Sequence, residues 1–241
     1  AVLEISQNQN SDCSGDQITD ISSTILVENL DHAGSSDLKL ADKTLLNLLG
    51  SISVPQQKSM TVTGGDGGLA FGGTVTFEND SQLVLNSKDA QINGSFNFTD
   101  SNVVDVQDDV NIKSSIGRWN NSQIKVTAGK TLEFKDNQWI TQGSLTKTGG
   151  SLYLENMVWN LSDDTTYTSD TEIEIKTLLL NDHILALGSA DSDITVIDNM
   201  TFNNSNERIS SGDADITLEN SISLEDGAIT STGGIVYLEK G

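Results

Sequence analysis

One cysteine, one proline and two arginines are all that this chain of 241 residues holds of those types. A single thiol, Cys13, rules out any intrachain disulfide, so stability has to come from packing. Cys13 could bridge to another chain, but a plain unpaired thiol is the ordinary reading. Aromatic residues make up only 5%. No eighteen-residue apolar run occurs, which excludes a transmembrane helix. Bases are scarce as well: 13 against 35 acids, for a net charge of −22. A surface of that sign repels phosphate backbones and anionic headgroups, which argues against nucleic-acid and polybasic membrane roles. The same acidity can draw divalent cations, although most acidic runs are simply solvated surface. The chain opens on Ala without a signal segment and ends in mid-pattern at VYLEKG. Both ends read as those of a processed or cut segment, with more sequence expected after the last residue.

Small and hydroxyl residues are plentiful instead. Ser and Thr number 52 and Gly 21, a mix suited to many short strands joined by polar turns. The segments TVTF, QLVLN, TLEF, SLYLE, EIEI, DITV, DITL and SISLE alternate apolar with polar, the two-residue period of a half-buried strand. Asn, Asp, Ser and Gly interrupt them every few residues.

A phrase then repeats. TKTGGSLYLE begins at Thr146 and TSTGGIVYLE at Thr230, with seven of ten positions identical, and TVTGG begins at Thr61. The copies lie 85 and 84 residues apart, close to four units of about 21. The three tryptophans, Trp119, Trp139 and Trp159, fall 20 residues apart, and so do Ile92, Ile112, Leu132 and Leu152. Short strands on a 20–24-residue period predict an all-β, right-handed parallel β-helix, or β-solenoid, in which each coil buries its apolar strip against the next. Residues 51–241 would form the solenoid body in about nine coils, and residues 1–50 an N-terminal cap or irregular first coils. DLKLADKTLLNLLG (37–50) can also be read as an amphipathic helix, but KTL recurs in strand context elsewhere, so two strands are expected. A β-sandwich would share the alternation but gives no reason for tryptophans at intervals of 20.

GSISVPQQKSMTVTGG, GGTVTFENDSQLVLNS and VTAGKTLEFKDN resemble the degenerate coils of secreted bacterial β-solenoid surface proteins of the filamentous-haemagglutinin-like adhesin and autotransporter-passenger kind. The resemblance is one of style over residues 38–241. It implies an extracellular or cell-surface location and a non-enzymatic role as adhesin or scaffold. The expected partners are a host or environmental glycan or protein, or a second copy joined through the solenoid ends.

Candidate sites are few. His32 and His183 stand alone in sequence, and no GxSxG, HExxH or P-loop occurs. GGDGGLAFGG (64–73) is similar to a calcium-binding glycine-rich nonapeptide but has no tandem copy to complete its ligands, so it reads as a solenoid corner. Acid-rich turns at Asp163, Asp164, Asp191 and Asp193 could stack carboxylates for calcium, which takes six to eight oxygen ligands. The tryptophans admit two readings: inward, as stacked core, or outward, as an aromatic strip for carbohydrate. The enzymatic alternative is a pectin-lyase-like polysaccharide-degrading enzyme. Its nearest set is Asp105, Asp108 and Asp109 with Lys113 and Arg118. Asn-x-Ser/Thr sequons occur at Asn79, Asn93, Asn97, Asn120, Asn160, Asn199 and Asn203.

Overall fold

A computed structural model describes residues 2–5, 23–28, 34–40, 43–64, 68–87, 90–135, 138–198 and 200–239. Cys13, His32, Asn199 and residues 65–67 of the glycine-rich turn lie outside the described residues. Every described element is a strand, and every strand pair is parallel, in a β-solenoid of about nine turns. Apart from the first pair, register partners are offset by between 19 residues (Val158 with Thr177) and 24 (Ser36 with Met60). That range explains why the sequence period is loose: coils can gain or lose a residue at a corner without leaving the ladder.

Three parallel sheets wrap the core. The first stacks Ser36–Leu40, Ser59–Gly64, Gln82–Ser87, Val103–Val106, 123–126 and 146–149. The second stacks Thr44–Leu48, 68–71, 91–93 and 111–113, and continues through 131–133 and 151–154 to 173–175. The third stacks Ile52–Val54, 75–77, 96–98, 117–119 and 139–141. In the middle coils pairing runs through the corners, so Val110–Phe134 and Gln138–Thr168 are each one continuous strand. Ser36–Leu40 and Thr44–Leu48 pair in register with the body, so the 37–50 segment is two strands and its described residues are coils.

The alternation in sequence becomes columns in space. Leu46, Leu69, Ile92 and Ile112 are successive register partners, all buried. Val54, Phe77, Phe98 and Trp119 form a second inward column. Phe77 and Phe98 stack with centroids 4.8 Å apart, and Phe98 meets Trp119 at 4.4 Å, close to the inter-strand spacing. Each such pair contributes about 0.5–1.5 kcal/mol beyond its buried area.

The tryptophans are buried, between 0% and 3% exposed, so the aromatic-strip reading is corrected: no indole face is open to a sugar. Nor do they form a simple register ladder. Trp119 pairs with Thr141, and Trp139 pairs with Gly117, because the coil here is 22 residues long rather than 20. The two-residue mismatch moves Trp139 to the neighbouring inward position, where its ring meets Trp119 edge-on at 85° and 6.3 Å. Trp159 then packs on Trp139 at 4.9 Å and donates its indole N–H to Thr141 Oγ1.

The repeated TxTGG phrase marks a place where one coil presses on the one below. Gly149 has φ +86°, and a Cβ there would lie 1.9 Å from the Val126 carbonyl oxygen. At Gly64, φ +143°, the same atom would lie 2.0 Å from Leu40 O. Only glycine fits that backbone and that gap.

One inward column changes character. Met60, Leu83, Val104 and Ile124 are followed in register by Lys147, which is fully buried. Its ammonium donates to Gly149 O (2.8 Å), Asp170 Oδ1 (2.9 Å) and Thr171 Oγ1 (2.7 Å), the satisfied geometry that a buried cation requires.

Candidate functional surface

The acidic turns sit at coil corners, and their carboxylates hold the next coil. Asp109 Oδ1 accepts the Thr131 N–H at 2.9 Å, Asp164 Oδ1 that of Ile184 at 2.8 Å, Asp193 Oδ1 that of Asp215 at 2.6 Å, and Asp215 Oδ1 that of Ile235 at 2.7 Å. Asn121 does the same for Ser144 at 2.9 Å. Each acceptor serves an N–H one turn later, which is why short polar residues recur at these places. At one corner the chain also turns through the left-handed region at Gln57, Asp80, Ser101 and Asn121, a conformation that Asn and Asp tolerate better than most residues.

The four aspartates expected to stack for calcium are divided between two corners. Asp163 and Asp164 lie between the strands 158–160 and 165–167, whereas Asp191 and Asp193 precede Ile194–Val196. Asp193 and Asp215 do stack, but as backbone acceptors. Asp163 and Asp164 meet a residue that the sequence did not join to them. His183 Nδ1 lies 4.0 Å from Asp163 Oδ1 and 3.9 Å from Asp164 Oδ1, and the three donor atoms fall within 4.8 Å of one another. The signal was available, since His183 follows Asp163 by 20 residues, one coil. One nitrogen and two oxygens make a donor set closer to that of zinc than to the all-oxygen shell of calcium.

The polysaccharide-lyase set is not assembled. Asp105 stands in the first-sheet column Thr61, Val84, Asp105, Lys125; Lys113 stands in the second-sheet column Ala70, Asn93, Lys113; and Arg118 stands in the third-sheet column Thr76, Asn97, Arg118, Ile140. Asp108 and Asp109 are drawn to Lys130, at 2.5 and 3.7 Å. The Asp108 hydrogen bond is the main influence raising the Lys130 ammonium above its ordinary value.

The third sheet is chemically unlike the other two. Its strands at Ile52–Val54, 74–77, 95–98, 116–120, 138–142, 158–160 and 177–179 contain no Asp, Glu or Lys. Their described outward positions are Ser, Thr, Asn and Gln, with Ile140, Val158 and Leu179, and one cation, Arg118. Arg118 is exposed and makes no ion pair among the described residues. Two open clefts flank it. One, of about 260 Å³, includes Asn120, Ile140, Gln142 and Ser162; the other, of about 270 Å³, includes Thr74 and Ser95; Asn97 lines both. In sequence Arg118 groups with acids nearby in the chain, whereas the solenoid places it on a sheet whose described strands carry no acid.

Comparison of the chain with protein-family models, curated proteins and solved structures finds no match in any of the three. Among the described residues no helix is long and apolar enough to cross a membrane.

Proposed function

We propose that this solenoid is a non-enzymatic segment of an extracellular or cell-surface protein, acting as adhesin or structural scaffold. The observation that carries the reading is the use made of the polar groups. The corner carboxylates that face another coil accept its backbone N–H groups, and the best lyase set is dispersed over three sheets. What remains outward on the third sheet is mainly an array of hydroxyl and amide groups, which suits contact with an extended partner better than chemistry on a small one. The proposed location and partner class rest on the resemblance in coil style, and fold alone assigns no activity.

The test is incubation with acidic polysaccharides, with and without calcium, read by ultraviolet absorbance of unsaturated ends and by reducing-end release. The scaffold reading expects neither signal. Product formation that is lost in Lys113→Ala or Arg118→Gln would replace it with the lyase reading.

A further inference from the structure

We infer that the third sheet carries a glycan-binding site centred on Arg118, selective for a carboxylated sugar flanked by neutral ones. The inference deepens the adhesin reading above and rests on it. Three observations and the geometry of the guanidinium converge. Arg118 is the only charged residue among the described strand residues of a sheet that presents mainly hydroxyls and amides, in a chain of net charge −22. It is exposed and has no carboxylate partner among the described residues, although acids outnumber bases by 35 to 13. A guanidinium offers a planar fork that matches a carboxylate in two parallel hydrogen bonds. The clefts on either side of it, about 260 and 270 Å³, are open and lined by Asn97, Asn120, Gln142, Ser162, Thr74 and Ser95.

The surrounding charges narrow the ligand. Glu78, Asp80 and Asp100 lie at the corner along one edge of this sheet, where Glu78 is bonded to Ser53 and to the Gln56 N–H, and Asp100 to Asn121. A polymer charged at every sugar would meet those carboxylates as it extended from Arg118, and like charges repel. A glycan with one isolated carboxylate seats that group on Arg118 and lays its neutral neighbours along the amide and hydroxyl columns. Those columns repeat at the strand spacing, ~4.8 Å, and Ile140 gives the apolar side of a pyranose ring something to rest on. A carboxylated peptide shares only the first of these contacts.

Two sources supply such a sugar, sialylated and uronic-acid-substituted glycans, and paired probes separate them. The full chain is titrated by NMR and calorimetry with sialyllactose against lactose, and with a glucuronic-acid-substituted xylo-oligosaccharide against the unsubstituted one. An acidic peptide and a homopolymeric polyuronate oligomer serve as controls. The expected result is binding of at least one carboxylated member over its neutral partner, with shifted amides in residues 95–99, 116–120 and 138–142. Arg118→Gln should weaken that binding about tenfold or more, and Arg118→Lys by less, since charge remains and the fork is lost. Thermal unfolding of both variants should match the parent, because the side chain is exposed. Equal binding of charged and neutral members, unchanged binding in Arg118→Gln, preference for the peptide or the polyuronate, or no binding of either carboxylated glycan would each overturn the inference. A site found elsewhere on the solenoid would leave the adhesin reading standing and this one refuted.

Discussion

The middle coils and the last coil are built on the same columns but are held differently. Between Val75 and Trp159 the inward apolar residues of the described strands are buried, and aromatic rings run through the stack from Phe77 to Tyr167. In the last coil Ile222, Ile229 and Val236 continue inward columns but are only partly buried, and Leu224 and Leu238 are 57% and 62% exposed. The inward residues are apolar in both regions, aromatic and aliphatic in the middle and aliphatic in the last coil. What changes is the number of neighbours, so in a solenoid burial is a property of position in the stack as much as of sequence.

The comparison is tested hardest by removing one large side chain from each region. Trp139→Ala or Trp159→Ala should cost about 3–5 kcal/mol, because the ring is fully enclosed and the cavity cannot collapse. Leu224→Ala should cost less than about 1 kcal/mol, its side chain being mostly in water already. Urea unfolding followed by tryptophan fluorescence and circular dichroism measures both. Equal costs would mean that the two regions do not differ as described.

Next in size is the buried cation. Asp170→Ala leaves the Lys147 ammonium enclosed with only neutral acceptors, which should cost about 2–3 kcal/mol, less than for a fully buried pair because the Asp170 carboxylate is half in water. Lys147→Met restores the apolar column of Met60, Leu83, Val104 and Ile124 and should be close to neutral. Burial alone would push the Asp170 carboxyl up, but the Gly149 N–H and the Lys147 ammonium outweigh it and hold the group below its ordinary value of 3.8. A depressed carboxyl contributes stability that is complete above the unfolded value and is lost as pH falls through the lower folded value. Acid unfolding below about pH 3.8 should therefore be shallower in Asp170→Asn than in the parent, from a lower starting stability.

A paired test of equal or smaller size concerns the corners. Gly149→Ala forces a Cβ to within 1.9 Å of Val126 O and should cost about 2–3 kcal/mol. Gly129 also has a positive φ, +77°, but nothing lies within 4 Å of a Cβ there, so Gly129→Ala should cost only ~1 kcal/mol. Thermal shifts of the two variants separate inter-coil crowding from backbone strain alone.

The sequence carried the architecture because a solenoid writes its geometry locally: alternation specifies strands, TxTGG specifies a pressed corner, and a repeat near 21 specifies the circuit. It misled where several coils have different lengths. The even spacing of the tryptophans suggested one ladder, but the 22-residue coil between Gly117 and Trp139 moves Trp139 off the column of Trp119. Nothing in the sequence sets Lys147 apart from the other twelve bases, since only the register shows that it follows Ile124 in a core column. The corner aspartates read as candidate ligands because a carboxylate that accepts an N–H one turn later looks the same in sequence as one waiting for a cation. Arg118 was legible only after the coils were aligned and its sheet proved to contain no acid.

Residue-resolved hydrogen exchange on a dilute monomeric sample tests the contrast between middle and last coil most directly. In the 241-residue chain alone, exchange should be slow through residues 75–77, 96–98, 117–126 and 139–149 and fast at Ile222–Leu224 and Val236–Leu238, with Val236→Lys fraying residues 216–239 and leaving the middle unchanged. Strong protection throughout 233–239 in the monomer, equal to that of the middle coils, would contradict it.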